Sequence, residues 1–529
     1  SNQSTACKLK WVILRSRIAN KDYLMLQYFK AFTKVKLTLA VLLFLSIEIN
    51  AQESPGITQG NFGGSAMARI NPANMLQSKL YLDVHLVSVG AFGQNNFAYI
   101  PHRDFNLYPL VKNEEQLPTY PLTDDNFMYY DNTRNKSGSA ITNNYGLAGF
   151  LQTGDHAFAF HTAVRAYNSF DRIPYEIPVL GVQSLGYIPL QNIRFEDHDF
   201  DVASLAWGEI GLSYAYAFSK YSNRHWAAGI TAKYLLGYGG AFASIDKLDY
   251  MVLDRKTINI FDLNADFGFA LPVDYNTNDF PDGGSTFKGR GIGFDLGLTY
   301  TLKKEGYQKF NNQRICEQSY KDYFWRFGIS ILDLGVVSFK NSAQLHHFRE
   351  VNTVWENMDE LGYSNLNDLM DTLSFQLMGD AGASYAGDKF SIGLPTALSV
   401  QIDYHYNKNW YFNAMVIHPL KISKYSVRRP AQIALTPRYE TDWFDFMLPL
   451  SLYEYRIPRI GAAVRLGFFT IGTERLGTLF GVSDLNGLDI YASIKFNFRK
   501  GVCLGNRDTG ACYNADNYKP RKNKFLGIF

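Results

Sequence analysis

Apolar side chains recur at every second position over stretches of about ten residues, and this spacing limits what the chain can fold into more than any other feature. It is clearest over 488–498 and returns over 292–302, 210–219 and 398–406. Successive side chains of a β-strand point to opposite faces, so each stretch predicts a strand with one apolar face. In the first stretch that face consists of Leu488, Ile490, Ala492, Ile494, Phe496 and Phe498. The opposite face is small or polar, as expected for a strand between lipid and a crowded or wet lumen.

The composition favours strands over helices. Aromatic residues make up 15% of the chain, with 35 Tyr and 39 Phe, while charged residues stay at 19%. A soluble β-sandwich also alternates, but its strands are shorter, and it does not account for Tyr, Trp and Phe near the strand ends. We therefore predict an all-β fold, a transmembrane antiparallel β-barrel at residues 79–498.

Connections of two lengths separate these strands. Short ones at 153–155, 220–224 and 407–409 have the chemistry of hairpin turns. Long polar ones lie at about 101–137, 171–200, 272–289, 304–322 and 341–390. Tight turns on one side of the membrane and long loops on the other are typical of outer-membrane barrels, although the alternation is not strict here. The pattern predicts about 14 strands, in a range of 12 to 16.

The N-terminal part has the organisation of a secretory signal. A basic stretch from Met25 precedes an apolar run of 11 residues, Leu37–Ile47, and then a small residue, Ala51. A helix that crosses a bilayer needs about 20 residues, so the run fits a cleaved signal better than an uncleaved anchor. We predict an upstream extension at 1–24 outside the mature chain, a signal peptide at 25–51, and export to the outer membrane of a Gram-negative cell.

The formal charge of +3 does not indicate a nucleic-acid partner. The first 51 residues hold 8 Lys and Arg against 2 acidic residues, so the remainder of the chain is slightly acidic. A nucleic-acid binder concentrates basic charge on a patch or an arm. We predict no nucleic-acid partner.

Patterns for catalysis, a cofactor or a metal ion are weak. His346-His347 is an adjacent pair in a polar loop whose rings would point apart, and the ten histidines lack His-Glu-x-x-His spacing. Asp274, Asp279 and Asp282 are spaced like an oxygen-rich calcium loop without its terminal Glu, and a solvated loop is the alternative. We predict a protein that is not an enzyme and holds no metal or cofactor.

Charged side chains on the polar strand faces are the candidates for a lumen site. They are Lys233, Asp295, Asp403, Arg465 and Lys495. These groups could set the electrostatics of a pore. They could equally pair with one another inside a closed barrel.

Two further features each allow two interpretations. Gly291, Gly293 and Gly297 lie on one strand face and could leave room for a plug or permit strand bending. The spacing of apolar residues over Asn357–Leu377 predicts either a helical insertion or an irregular loop.

The chain after Phe498 has little periodicity and several basic residues. We predict a flexible basic tail at 499–529. Within it, Cys503 and Cys512 could close a short disulfide loop in an oxidising periplasm.

Three segments together resemble a known family. They are 63–74 (GGSAMARINPAN), which precedes a strand and Asn95-Asn96, then 289–300 (GRGIGFDLGLTY) and 329–335 (ISILDLG). Their combination is similar to a family of Bacteroidota outer-membrane barrels known only as a domain of unknown function. The Asn71-Pro72-Ala73 element in the first segment also resembles the long-chain fatty-acid transporter class, which includes the barrel subunit of the type IX secretion system.

The transporter class implies a barrel filled by an N-terminal hatch that contains the Asn-Pro-Ala turn, so we expect a plug-like segment at 52–78. It also implies a channel or transporter for small hydrophobic compounds. The alternative is a non-transporting structural or partner-binding barrel associated with secretion or surface assembly. The expected partners are outer-membrane lipid, the barrel-assembly machinery, and a hydrophobic small molecule or a protein.

Overall fold

The computed structural model describes residues 53–103, 128–221, 223–280, 285–304, 322–358 and 362–498. The predicted upstream extension, signal peptide and basic tail, the Cys503–Cys512 pair and Asp282 lie outside these residues. Among the residues described, no helix is both long and apolar enough to cross a membrane.

Strands make up most of the fold. In chain order they are β1 (Leu82–Asn95), β2 (Ala98–Tyr99), β3 (Met128–Tyr129), β4 (Lys136–Thr153), β5 (His156–Ile173), β6 (Arg194–Tyr221), β7 (Arg224–Val252), β8 (Ile258–Ala270), β9 (Gly289–Lys303), β10 (Tyr323–Phe339), β11 (Gln344–Trp355), β12 (Tyr385–Gly387), β13 (Phe390–Gly393), β14 (Ala397–Asn407), β15 (Trp410–Pro419), β16 (Gln432–Glu440), β17 (Phe444–Met447), β18 (Leu450–Tyr453), β19 (Ile457–Ile460), β20 (Ala462–Leu466), β21 (Phe469–Thr473) and β22 (Gly487–Phe498). The α-helices are α1 (Pro55–Thr58), α2 (Glu176–Gln183), α3 (Leu366–Met378) and α4 (Leu476–Leu479), and 3-10 helices lie at Gly64–Arg69, Pro72–Gln77 and Ile188–Leu190.

A closed antiparallel barrel of 14 strand positions confirms the predicted fold. Around the barrel the order is β1, β4, β5, β6, β7, β9, β10, β14, β15, β16, β17 with β18, β19 with β20, β21 and β22. β1 closes the ring because it pairs with β4 on one side and with β22 on the other, where Val84 lies opposite Phe496. Closure pairs the backbone groups that an open sheet edge would expose to lipid.

The apolar strand faces point outward. On β6, Ile210, Leu212 and Phe218 are 50%, 65% and 52% exposed, whereas the intervening Ser213 is buried. Large exposed aromatic rings lie near one end of the strands and include Trp226, Trp325, Tyr406, Trp410 and Trp443. An apolar outer surface with an aromatic belt is the surface of a barrel in lipid.

The two ends of the barrel differ. The turn end carries the short connections, such as β4–β5 at Gly154 and β14–β15 at Lys408, where both residues have positive φ angles. The loop end carries the longer connections together with the short β18–β19 connection at 454–456. The β9–β10 connection, 304–322, departs from this division: Lys303 pairs with Tyr323 at the turn end, although the segment between them is long.

The strands of one wall extend far beyond the barrel at the loop end. β6 and β7 have 28 and 29 residues rather than about ten. The part of β7 near the turn end pairs with β9, whereas Gly240–Val252 pairs with β8, which in turn pairs with β11. This sheet extension includes residues of the stretches 171–200 and 341–390, which we predicted to be polar connections. These residues form strands because they pair with neighbouring strands outside the membrane.

The apolar spacing in the second of these stretches corresponds to a helix, α3, rather than an irregular loop. Asn365 caps its start by accepting a hydrogen bond from the Asp368 N–H, and Gly379 ends it with a φ of 81°. Met370 of α3 packs with Phe348 and Val351 of β11 in the core of the sheet extension.

Residues 53–80, which we call the inner segment, lie inside the barrel. They comprise α1 and the 3-10 helices Gly64–Arg69 and Pro72–Gln77, and nearly all their side chains are buried. Pro55 at the first turn of α1 and Pro72 at the first position of the second 3-10 helix suit short helical turns, because proline fixes φ and these N–H groups have no helical partner.

Candidate functional site

Inward-facing side chains near the loop end form an apolar layer across the lumen. Its members are Phe92, Ile141, Tyr167, Ala203, Leu205, Trp207, Leu235, Phe242, Ala270, Val337, Phe339, Ala343, Phe390, Ile392, Leu394, Val427 and Tyr453. Every one of them is at most 6% exposed. The strands are therefore apolar on both faces at this height, outward toward lipid and inward toward the layer.

A layer of buried ion pairs lies next to the apolar layer on the side of the turn end. This ion layer consists of Glu53, Arg165, Glu209, Lys233, Asp295, Asp333 and Arg429. Asp333 is at its centre, since its carboxylate accepts hydrogen bonds from Arg165 at 2.8 and 2.9 Å, from Lys233 at 2.6 Å, and from Arg429. Lys233 also donates to Asp295 at 2.8 Å. Charges buried this deeply are stable only when they are paired.

A bulge in β10 places Asp333 in this layer. The register against β9 shifts between Ile331 and Leu334, and Asp333 has a φ of 52°. A bulge adds a residue to one strand and turns its side chain. The sequence analysis did not single out Asp333, although one signal was available: it is the lone carboxylate of the apolar segment 329–335.

Asp403 belongs to a second ion cluster nearer the turn end. It accepts hydrogen bonds from Arg326 at 2.7 Å and from Arg438 at 2.9 Å. Arg438 also lies 3.2 Å from Glu440, whose carboxylate accepts a hydrogen bond from the Asn61 side chain at 2.8 Å. This cluster therefore ties the inner segment to the barrel wall.

The remaining two predicted lumen charges also point inward and have partners of their own. Arg465 forms a bidentate pair with Asp445 at 2.5 and 2.8 Å. Lys495 donates to the carbonyl oxygens of Phe62 and Gly63 at 2.5 and 2.7 Å. Of the five predicted lumen charges, the structure brings only Lys233 and Asp295 into contact with each other.

The Asn71-Pro72-Ala73 turn sits against the inner wall. The Asn71 side chain accepts a hydrogen bond from the Ala73 N–H at 2.9 Å and donates to Gln401 at 3.1 Å. Glycines on the wall make room for the turn: a Cβ at Gly297 would lie 2.1 Å from the Asn71 Oδ1 atom.

The other two glycines predicted to lie on this face make room for atoms outside the inner segment. A Cβ at Gly291 would lie 2.1 Å from the Val336 carbonyl oxygen, and one at Gly293 would lie 2.9 Å from Leu394. Of the three predicted glycines, only Gly297 receives the inner segment in this way.

Gly229→Ala on β7 should loosen the inner segment. The new Cβ would lie 2.5 Å from the Ala73 nitrogen and 2.6 Å from the Pro72 carbonyl carbon, and backbone atoms cannot rotate away. We expect urea unfolding in lipid vesicles to show a loss of about 1–3 kcal/mol, with faster proteolysis of the inner segment. Gly93→Ala is the matched control, since its Cβ would have no atom within 4 Å. Equal stability and proteolysis of the two variants would contradict the close approach.

The wall between β1 and β4 has a defect. Paired residues stop at His85 opposite Ala148 and resume at Ser88 opposite Tyr145. β1 also shifts register against β22 between His85 and Val87, and β4 shifts against β5 between Tyr145 and Ala148. On the outer surface the defect is lined by Leu86, Val87 and Leu147, which are 44%, 38% and 52% exposed. Two bulges therefore lie side by side in neighbouring strands.

Small polar cavities lie behind this defect. Two of them, of about 20 and 30 Å³, share Arg69, Tyr145, Arg165 and Arg429 in their linings. The Arg69 guanidinium stacks 3.5 Å from the centre of the Tyr145 ring. Each cavity has room for about one or two water molecules. The lumen at this height is thus nearly filled.

The histidine pair and Asp274 of the acidic loop have partners of other kinds in the described residues. His346 and His347 lie in β11 rather than in a polar loop, and they face Ser384 and Asp266 respectively. Asp274 caps a local turn by accepting a hydrogen bond from the Asn276 N–H at 2.8 Å. Within the described part of the chain, no group of three or more His, Cys, Asp or Glu is placed to hold a metal ion.

A protein-family model matches residues 72–474 and carries the description Family of unknown function (DUF5723). The chain belongs to this family. The matched residues include Pro72 and Ala73, the wall defect and every member of the ion layer except Glu53. The sequence prediction of a barrel family of unknown function is thereby confirmed. No curated protein matches the chain.

Solved structures with some likeness are outer-membrane barrels of low identity. The toluene transporter TbuX of Ralstonia pickettii is 10% identical and the match covers 85% of this chain and 99% of that one, with a TM-score of 0.36. The deltaS2 mutant of the TodX monoaromatic hydrocarbon channel is 9% identical, with coverages of 85% and 100% and a TM-score of 0.37. The outer membrane protease OmpT of Escherichia coli is 8% identical, with coverages of 79% and 96% and a TM-score of 0.20. Likenesses this low leave the function of the chain open.

Proposed function

We propose that the protein is an outer-membrane channel that admits small hydrophobic compounds, and that it is not an enzyme. The observation that carries the proposal is the wall defect between β1 and β4, which separates lipid-facing apolar side chains from the lumen cavities by two bulges. A solute that leaves through the wall enters the hydrocarbon of the membrane directly. This route favours apolar solutes, because transfer of apolar surface out of water is favourable.

The apolar layer supplies the first part of the route, from the loop end inward. Tyr167 belongs to this layer and also lines the cavity that contains Tyr145 and Arg165. Tyr145 in turn is the last paired residue of β4 before the defect. Tyrosine rings thus line part of the way from the apolar layer to the wall, among the buried charges of the cavity, and the described state is a closed one.

We infer that the inner segment is the hatch that we expected at 52–78. It fills the lumen beyond the ion layer and is held there by Lys495 and by Glu440, so a straight passage to the turn end is blocked. A lateral exit avoids this obstacle. We further propose that the signal peptide at 25–51 directs the chain to a Bacteroidota outer membrane, where the barrel-assembly machinery inserts it.

A disulfide across the defect tests the route. In a chain whose native cysteines are replaced by serine, Leu86→Cys with Leu147→Cys places one thiol on each strand at the defect, next to the last pair, His85 with Ala148. Directly opposite residues of antiparallel strands have Cβ atoms about 4.5–5.5 Å apart, so the pair His85–Ala148 holds the two strands close enough for a bridge beside it. We expect oxidation to lower the rate of naphthalene entry into proteoliposomes, followed by its fluorescence, to the rate of protein-free vesicles, and reductant to restore it.

Leu82→Cys with Leu151→Cys is the matched control, since these residues pair directly on the same two strands outside the defect. Oxidation of the control should leave uptake unchanged. Equal uptake by oxidised and reduced Leu86→Cys/Leu147→Cys chains would exclude the lateral route, and uptake by the parent chain no faster than by protein-free vesicles would exclude the channel itself.

A second candidate function is a non-transporting barrel that binds a protein partner. The sheet extension favours it, because α3 and β12 expose Phe375 by 57% and Tyr385 by 53% beyond the membrane. Large exposed apolar side chains outside the lipid belt are typical of protein contacts. Absence of uptake together with stable co-purification of a partner would support this candidate over the channel.

A further inference from the structure

The connection between β15 and β16 crosses the mouth of the barrel at the loop end. This connection, residues 420–431, is called the strap here. β15 and β16 lie on the far side of the barrel from β5, β6 and β7, yet strap residues contact these strands and the sheet extension. The strap therefore covers the apolar layer from outside.

Lysines tether the outer part of the strap to the opposite wall. Lys421 bonds to Asp201 at 2.7 Å, and Lys424 bonds to Asp266 at 2.8 Å and to Asp246 at 3.2 Å. Both lysine side chains are about half exposed, at 51% and 50%. Salt ions can reach the lysine side of each pair and screen it, although the Asp266 carboxylate is only 1% exposed.

Acid does not readily release this tether. Burial raises the pKa of Asp266, but hydrogen bonds from Lys424, Tyr425 and Arg349 outweigh that effect and bring the pKa to about 2. The carboxylate of Asp266 is consequently charged at neutral and mildly acidic pH. Ionic strength is the better means of weakening the outer part of the strap.

The middle of the strap seals the apolar layer. The Tyr425 ring stacks on Phe242 with centroids 3.9 Å apart, and Val427 is a member of the layer. The backbone of the strap pairs with Gly393, whose N–H donates to the Tyr425 carbonyl oxygen at 2.8 Å. Displacement of this part would open the apolar layer to the loop end.

The inner end of the strap is held by buried charges and touches the inner segment. Arg429 is 5% exposed, donates to Glu53 at 3.2 Å and also bonds to Asp333 in the ion layer. Buried pairs are screened far less than exposed ones. The strap thus has an outer part held by half-exposed lysines and an inner end held by buried charges, and the inner end joins Glu53 of the inner segment.

We propose that the strap is a lid over the lumen, whose outer part lifts from the opposite wall about its Arg429 end and transmits that motion to the inner segment through the Arg429–Glu53 pair. Its role as a gate for solutes rests on the proposed channel function, whereas its opening is a property of the barrel alone. The ion pairs of Lys421 and Lys424 set the closed state.

Distance measurements between spin labels test the lid. In a chain with serine in place of its native cysteines, labels at Ile422→Cys on the strap and Asp199→Cys on β6 report the gap in lipid nanodiscs. Raising the salt concentration from 0.05 to 1 M shortens the Debye length to about 3 Å, and we expect a second population longer by roughly 10 Å, about three residues of extended chain.

Variants separate the tethers from general effects of salt. Lys421→Gln with Lys424→Gln should show the longer population already at low salt. Lys389→Gln is the matched control, because Lys389 is an exposed lysine whose nearest carboxylate, Asp388, lies 3.9 Å away outside the strap. A distance that stays unchanged in the double variant and at 1 M salt would overturn the lid.

Reactivity of the inner segment tests the coupling. Ser54→Cys lies beside Glu53 in a cavity lining, and we expect its reaction with a charged maleimide to accelerate severalfold in the double variant. An unchanged rate while the strap opens would overturn the coupling through Arg429. Uptake of naphthalene is measured separately: a strap that opens without any uptake contradicts the channel, and uptake with a strap that never opens contradicts the lid.

Discussion

Asp333→Asn is expected to lower the free energy of unfolding by about 3–5 kcal/mol. The substitution keeps the shape of the side chain but removes the charge that Arg165, Lys233 and Arg429 share in the buried ion layer. Breaking a buried pair is costly because the remaining charges stay desolvated with fewer partners. Urea titration of the barrel in lipid vesicles, followed by tryptophan fluorescence, measures the change.

Asp388→Asn serves as the matched control for the same chemical change. Asp388 pairs with Lys389 at 3.9 Å, and both side chains are more than two thirds exposed. Exposed pairs are worth about 0–1 kcal/mol, so the control should stay close to the parent chain. If Asp333→Asn also changed stability by less than 1 kcal/mol, the ion layer would not be holding the lumen together.

Ile230→Arg should cost about 2–4 kcal/mol in lipid vesicles. Ile230 is 41% exposed on the outer face of β7, between the rings of Trp226 and Tyr238. Those rings mark the edges of the apolar belt, so the arginine would sit within hydrocarbon, where a guanidinium loses its hydration. The same urea titration measures the effect, together with the yield of folded barrel.

The control for this prediction is Ile188→Arg. Ile188 is 77% exposed in a 3-10 helix at the loop end, beyond the lipid belt. A surface substitution in water changes stability by about 0.5 kcal/mol or less. Equal costs at the two positions would mean that the outer face of β7 does not contact lipid.

Much of the fold could be predicted because a barrel strand has a strict period of two. Ile292 and Leu296 point to lipid and Asp295 to the lumen, as the alternation required. The length of β6 and β7 could not be predicted, since alternation continues beyond the membrane without a change in pattern. The sheet extension was missed for this reason.

The candidate site was predicted only in part. Lys233 and Asp295 were predicted because a charged side chain on the inner face of an alternating strand must lie in the lumen. Asp333 was missed because a bulge breaks the alternation, and Arg165 and Arg429 were missed because their partners are distant in sequence. The wall defect escaped notice because it arises from two bulges that meet only when β1 pairs with β4.

The amino-acid sequence by itself determined the barrel, its lipid face and the polarity of its inner face, since these follow from side-chain periodicity within each strand. Tertiary structure alone decided which charges pair, where the wall is interrupted and what covers the mouth. Those features depend on the register between strands and on contacts between residues hundreds of positions apart, such as Glu53 with Arg429, and local spacing does not encode them.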